Sequence, residues 1–296
     1  MGRPELLAID LDGTLLGAGG TVSGANREAL HRATSEGLSY VIATGRTLSE
    51  CGDILESIDY SGALIAASGA LLQDVTAART LDRLTVPARD VEHAVSHVLE
   101  TPSLAMLLKD HHTCGVDYLM VGVGDIHPVS AWWFESTGAT YKRVERLDDD
   151  PWPEDTVRVG AIGSPHACAP MVDAIDAALG DRVLARHWEA VTSSAHHGTA
   201  VHLLEVFHPQ ADKWTMLQSH CRREGLDSER AAAVGDGVND VLLLQQCGLG
   251  VAVENADHRV LAVADAVTGP HHADGVAHLI HDLLDGKLRL AGACAE

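Results

Sequence analysis

Leu6-Leu7-Ala8-Ile9-Asp10-Leu11-Asp12-Gly13-Thr14 stands almost at the start of the 296-residue chain and joins a short apolar run to two carboxylates and a glycine. Four consecutive apolar residues that stop at a turn signal read as a strand buried on both faces, the kind found inside a parallel sheet. Successive strand side chains point to opposite faces, so residues 10 and 12 can converge on one site. Gly13 lets the backbone approach a ligand closely. Two carboxylates where a buried strand breaks into a turn are the geometry of a carboxylate nucleophile, a role that fits them better than a merely structural pair.

Outward from this strand, apolar runs alternate with amphipathic segments in a βαβ pattern. Residues 23–36 read as a helix with Ser23 as N-cap, residues 39–43 as a second buried strand and residues 64–67 as a third. From about residue 84 the texture changes. A helix is expected over 91–100 and strands over 104–108 and 118–123, followed by the polar, proline-bearing stretch Asp148-Asp149-Asp150-Pro151-Trp152-Pro153. A strand, helix and strand over 157–162, 165–179 and 183–187 come next, with a further strand over 201–207. The doubly wound pattern then resumes with a helix over 213–224, a buried strand over 231–234, a helix over 239–246 and a strand over 249–253. The expected fold is α/β, a Rossmann-like doubly wound parallel sheet formed by residues 1–83 and 209–296, with an inserted α+β domain over 84–208. The tail from Leu288 is expected to be loosely held.

Three further groups stand at the ends of these elements. Thr44-Gly45-Arg46 places a hydroxyl, an amide and a guanidinium at the carboxyl end of the second strand, all phosphate-binding groups. Lys213 near a helix start offers an ammonium to a phosphate or a carboxylate. Gly235-Asp236-Gly237-Val238-Asn239-Asp240 follows a buried strand, and its acidic side chains are the hard oxygen ligands that Mg²⁺ prefers. Each motif alone is more often structural, since Asp-Gly turns and exposed helix lysines are common. Their order at strand and helix ends of one sheet, where such folds bind ligands, is what points to chemistry.

The net charge of −21, from 42 acidic against 21 Lys and Arg residues, repels nucleic acid and anionic membranes. It would also repel a phosphorylated substrate unless a cation offsets it, so a phosphate site here should contain a metal ion. The 18 histidines include the pairs His111-His112, His196-His197 and His271-His272. None has the HExxH spacing, and no metal role is assigned to them. Six scattered cysteines, without CxxC or Cys/His spacing, read as reduced thiols. No apolar stretch approaches a membrane span and no signal peptide is read at the start, so a cytoplasmic location is expected.

Taken together, Asp10-Leu-Asp-Gly-Thr, Thr44-Gly-Arg, Lys213 and Gly-Asp236-Gly-Val-Asn239-Asp240 resemble the four motifs of the haloacid-dehalogenase-like superfamily, specifically its Cof-type phosphatases. The insertion matches the position and length of that subfamily's C2B cap. Ser68-Gly69-Ala70, Leu204-Glu205-Val206, residues 251–256 and Asp274-Gly275-Val276 are further matches. The resemblance implies a Mg²⁺-dependent phosphatase in which Asp10 forms an aspartyl-phosphate and Asp12 is the general acid and base. It assigns the metal to Asp10, to Asp12 through its carbonyl, and to Asp236, with Asp240 behind them. The phosphoryl group falls to Gly13, Thr44, Gly45, Lys213 and Asn239. Arg46 is expected to make a second substrate contact.

Many relatives have Asn-Gly where this chain has Ser68-Gly69. The approach to the lysine, usually Gly-rich, is here His208-Pro209-Gln210-Ala211-Asp212. Cap residues should set specificity, with Trp132, Trp133, His111, His112, His187, Trp188, His196 and His197 the conspicuous candidates. A sugar phosphate is the leading substrate class and a monomer or loose homodimer the expected state. A phosphomutase of the phosphomannomutase type, a sucrose- or trehalose-phosphate phosphatase, and a non-catalytic phosphometabolite-binding protein are the alternatives.

Overall fold

A computed structural model describes residues 2–190 and 201–290. The chain divides into two compact units, one comprising residues 1–82 and 212–296 and the other Arg83–Ala211.

In the first unit, β1 (Leu6–Ile9), β2 (Ser39–Ala43), β3 (Ala63–Ala66), β4 (Leu71–Asp74) and β5 (Arg79–Arg83) come from the early segment. The second unit then contributes β6 (Ala105–Lys109), β7 (Tyr118–Val121), β8 (Tyr141–Val144), β9 (Thr156–Gly163), β10 (Leu184–Glu189) and β11 (His202–Phe207). The chain returns to the first unit with β12 (Ala231–Gly235), β13 (Leu249–Val253) and β14 (Ala266–Thr268).

The first sheet runs β14-β13-β12-β1-β2-β3-β4-β5. Its six strands from β14 to β3 are parallel, and β4 turns back antiparallel on β3. From β1 the chain winds outward through β2 and β3, and from β12 it winds the other way, so the order reverses between β1 and β12. Ligands of open α/β sheets bind beyond the carboxyl ends of the strands at such a switch point. All four residues of β1 are buried, as expected of a strand covered on both faces. Helix Gly24–Ser35 packs with Gly275–Leu284, and helix Lys213–Glu224 packs with Val241–Gln246. Ser23 caps the first of these by accepting the Asn26 N–H at 3.0 Å.

The second unit is a sheet in the order β10-β11-β9-β6-β7-β8. Helices Ala88–Leu99 and Pro165–Leu179 cover one face, where Val91, Val95, Met171 and Ile175 pack on Leu107, Val159, Leu204 and Val206. The polar stretch at 148–153 is tied to this sheet by buried Lys109. Its ammonium donates to Asp150 Oδ2 at 2.7 Å, and to the Trp152 carbonyl and Thr156 Oγ1 at 2.8 Å each. Among the described residues no helix is long and apolar enough to cross a membrane. The described cysteines (Cys51, Cys114, Cys168, Cys221 and Cys247) are buried and unbridged, while Cys294 lies outside the described residues.

Candidate active site

Four adjacent strands, β12, β1, β2 and β3, bring their carboxyl ends together, and the chemistry-bearing motifs follow directly from them. Asp10 closes β1 and leads into a wide turn in which the Leu15 N–H donates to the Asp10 carbonyl and the Leu16 N–H to the Leu11 carbonyl. Gly13 makes this turn possible at φ 75°, and a Cβ there would lie 2.2 Å from Asp236 Oδ2. The backbone of the first carboxylate loop is therefore in contact with the Asp236 side chain from the loop after β12, and the Thr14 hydroxyl donates to Asp236 Oδ1 at 3.2 Å.

Lys213 is the first residue of its helix, whose N-cap Asp212 accepts both the N–H and the hydroxyl of Thr215 at 2.7 Å. The fully buried Lys213 ammonium donates to Asp10 Oδ1 and to Asp240 Oδ1, both at 2.6 Å. Asp240 Oδ2 accepts the N–H groups of Asp236 at 3.2 Å and Gly237 at 3.0 Å, so both oxygens of Asp240 are engaged by the protein. Ligand oxygens of Asp10, Asp236 and Asp240 all lie within 4.8 Å of one another.

Three carboxylates thus surround a single ammonium. Burial, reinforced by Asp240 and Asp236 and opposed by Lys213, pushes the Asp10 carboxyl well above its ordinary value. Burial and the Asp240 charge push Asp236 up to about 6. Burial alone would lower Lys213, but its two carboxylates outweigh that and hold it above the usual lysine range. This surplus of buried hard oxygen donors fits a divalent cation such as Mg²⁺ better than it fits an empty cavity.

Thr44 is fully buried at the end of β2, and its hydroxyl accepts the Arg46 N–H at 3.1 Å. Arg46 grips Asp12 with two donors, Nε to Oδ2 at 2.8 Å and Nη2 to Oδ1 at 2.6 Å, while Nη1 donates to the Glu50 carbonyl at 3.2 Å. A bidentate guanidinium–carboxylate pair fixes both partners in one plane. The guanidinium expected to contact substrate here holds the second aspartate. Asn239 lies near Gly45, where a Cβ on the glycine would be 3.8 Å from Asn239 Nδ2.

Two positioning contacts have no counterpart in the motif roles. Asn255 Nδ2 donates to the Gly13 carbonyl at 2.9 Å while its Oδ1 accepts the His271 N–H at 2.8 Å. His271 Nδ1 in turn lies 2.7 Å from the Leu16 carbonyl, so residues 255 and 271 brace both ends of the carboxylate loop. Asn255 sits in a stretch matched from sequence, but its partner can be found only in three dimensions.

Of the specificity candidates in the second unit, His111 and His112 lie on the short helix His111–Cys114, with His111 Nδ1 3.2 Å from Asp117 Oδ1. Trp132 and Trp133 meet edge to face on helix Pro128–Thr137. Trp188 lies on β10 under the Arg186 guanidinium, 4.3 Å from its ring centre, and His187 pairs with His202 at 2.8 Å. His196 and His197 lie outside the described residues.

Residues 7–280 match the family of haloacid dehalogenase-like hydrolases. Phosphatase YwpJ of Bacillus subtilis is 28% identical over 95% of this chain and 100% of its own length. The pyridoxal phosphate phosphatase YbhA of Escherichia coli is 27% identical over 95% and 98%. The 5-amino-6-(5-phospho-D-ribitylamino)uracil phosphatase YcsE of Bacillus subtilis is 27% identical over 93% and 94%. Among solved structures, a haloacid dehalogenase-like hydrolase from Bacteroides thetaiotaomicron superposes with a TM-score of 0.78 at 21% identity, covering 95% of this chain and all of the other, which speaks for the fold. With the carboxylate and lysine motifs assembled at one switch point and the match running almost end to end, the chain belongs to the haloacid dehalogenase-like hydrolases and is a Cof-type phosphatase of that superfamily.

Proposed function

We propose that the protein is a Mg²⁺-dependent phosphatase that hydrolyses a small phosphorylated metabolite, with sugar phosphates the leading class, through a phosphoryl group carried on Asp10. The observation that supports this most directly is the 2.6 Å pairing of buried Lys213 with Asp10 inside a cluster completed by Asp236 and Asp240. YcsE, whose named substrate carries its phosphate on a ribityl chain, and YbhA, named for pyridoxal phosphate, support a compact polar phosphomonoester.

In this mechanism an Asp10 carboxylate oxygen attacks phosphorus, the ester bond to the leaving oxygen breaks, and Asp12 gives that oxygen a proton. Asp12 then takes a proton from water as the water attacks phosphorus, which releases inorganic phosphate and restores the Asp10 carboxylate. One of the two Arg46 hydrogen bonds gives way to the leaving oxygen as Asp12 does this, and the other keeps Asp12 oriented through the step. The Thr44 hydroxyl, which already accepts the Arg46 N–H, directs its own proton to a phosphoryl oxygen. Lys213 offsets the charge that accumulates there, with Asn239 and the backbone amides after Asp12 supplying further donors. Asp10 and Asp236 with the Asp12 carbonyl would hold Mg²⁺, and Asp240 would anchor Lys213 behind them. When bound, Mg²⁺ supplies the positive charge that lets an anionic ester approach an anionic nucleophile.

The test is inorganic phosphate release from a panel of sugar, cofactor and nucleotide monophosphates, with and without Mg²⁺, alongside Asp10→Asn. Release that requires both the metal and Asp10 is expected. Absence of release from every ester by a folded protein would overturn the proposal, and isomerised sugar phosphate in place of free phosphate would replace it with a mutase.

A further inference from the structure

Directly after β3 the chain makes a turn, Ala67-Ser68-Gly69, in which three consecutive residues adopt left-handed backbone angles, φ 49°, 55° and 92°. Only the last is a glycine, and alanine and serine are strained in that region. The turn is clamped on both sides. The Ala67 N–H donates to the Arg46 carbonyl at 2.8 Å and the Ser68 N–H to the Thr44 carbonyl at 3.0 Å. On the other side a Cβ at Gly69 would lie 2.1 Å from the Asp212 carbonyl, so the turn sits against the start of the Lys213 helix.

The clamp presents one side chain. Ser68 is 1% exposed, yet its hydroxyl is among the buried polar atoms without a hydrogen-bond partner. Burying an unmade hydrogen bond is unfavourable and calls for an explanation. Its direction supplies one. A Cβ on Gly45 would lie 3.4 Å from Ser68 Oγ and 3.8 Å from Asn239 Nδ2, so the hydroxyl and the amide converge on the same backbone position, the residue that follows Thr44. What faces this spot is a pair of donors, the hydroxyl on a turn packed against the start of the Lys213 helix and the Asn239 amide, which suits an anion.

We propose that the Ser68 hydroxyl is a ligand of the substrate phosphoryl group, donating to one of its oxygens alongside Thr44 and Asn239. The inference rests on the phosphatase function proposed above, and deepens it by adding a binding residue. The strained turn exists to carry that donor into the site, where a relaxed one would turn it away.

The test is the affinity of the full-length protein for orthophosphate by titration calorimetry in Mg²⁺, with Ser68→Ala and Ser68→Asn. Alanine keeps the Cβ and its backbone strain but deletes the donor, so about a tenfold or greater loss of orthophosphate affinity is expected, the range for a hydrogen bond to a charged group. Asparagine tolerates left-handed angles and restores an N–H donor, so its affinity should stay within about threefold of the parent. Parent-like affinity in Ser68→Ala overturns the inference, because the hydroxyl would then bind only water. Equal losses in both variants overturn it too, since shape and not donation would be at work. Wild-type protein that binds no orthophosphate also overturns it. Ester hydrolysis by the wild type, measured in parallel, separates the two claims: hydrolysis with an unaffected Ser68→Ala removes only the Ser68 assignment, whereas no hydrolysis removes the phosphatase.

Discussion

Replacing Lys213 by methionine, which has similar reach but no charge, should destabilise the site far more than a typical surface charge deletion. Lys213 and Asp240 are fully buried and Asp10 is 4% exposed, so the ammonium is the cation that both carboxylates face at 2.6 Å. Removing one partner of a buried ion pair leaves an uncompensated charge, at a cost of roughly 3–5 kcal/mol. At about 2–4 °C of melting temperature per kcal/mol for a domain of this size, the loss should be on the order of 10 °C. Protonation offsets part of it. The Asp10 carboxyl is held well above its ordinary value and Asp236 is pushed up to about 6, so below that pH the cluster sheds negative charge by taking up protons. The deficit of Lys213→Met should therefore be largest at pH 8 and shrink towards pH 5. Scanning calorimetry of both proteins in chelator, at several pH values, reads this directly. A variant that melts within about 2 °C of the parent at pH 8, or a deficit that grows on acidification, would refute the charge accounting.

Three other outcomes follow from particular contacts. Gly13→Ala must place a Cβ 2.2 Å from Asp236 Oδ2 at a φ of 75°, so the Asp236 carboxylate moves; about a 10²-fold loss of kcat and a smaller Mg²⁺-induced rise in melting temperature are expected, and unchanged values for both would contradict the close approach. Arg46→Lys keeps the charge but loses the fork on Asp12, so kcat should fall at least about tenfold with little change in KM, whereas a rise in KM alone would mark Arg46 as a substrate contact instead. His220 is buried and its pKa is lowered from 6.5 by burial, partly opposed by Glu224, so the unfolded chain holds the proton more tightly. Its share of stability is complete above pH 6.5 and is lost as pH falls through the lowered value; urea titrations should show this acid-side slope flatten in His220→Gln, and an unaltered slope would rule the residue out.

Much of the first unit is legible from local sequence because the elements at its centre are buried on both sides. Leu6–Ile9 and Leu249–Val253 are continuous apolar runs bounded by turns, and Ser23, two residues past Thr21 and ahead of an amphipathic stretch, caps its helix as expected. The addition of β4, antiparallel on β3, and of β5 at the edge beyond it is not legible in the same way. Arg79–Arg83 is charged and only partly buried, and Tyr141–Val144 in the second unit is likewise mostly exposed, so neither has an apolar signature. Helix Pro128–Thr137 carries Trp132, Trp133 and Phe134 in succession, which blurs the helical period.

At the site, residue types at strand ends are legible, but who holds whom is not. The Arg46–Asp12 fork spans 34 residues and the Asn255–Gly13 bridge spans 242, and no local pattern encodes either pairing. Burial of Lys213 between two carboxylates is likewise a product of the switch point, since an isolated lysine at a helix start reads as exposed.

The central claim is that Asp10 carries the phosphoryl group during turnover. Rapid acid quenching during turnover, reduction with borohydride and peptide mass spectrometry report on it directly, because an aspartyl-phosphate is reduced to homoserine while a free carboxylate is not. Homoserine at position 10, present only when substrate is being turned over and absent in Asp10→Asn, is the predicted result. Phosphate release with residue 10 unmodified, or with the label at another residue, would contradict the account.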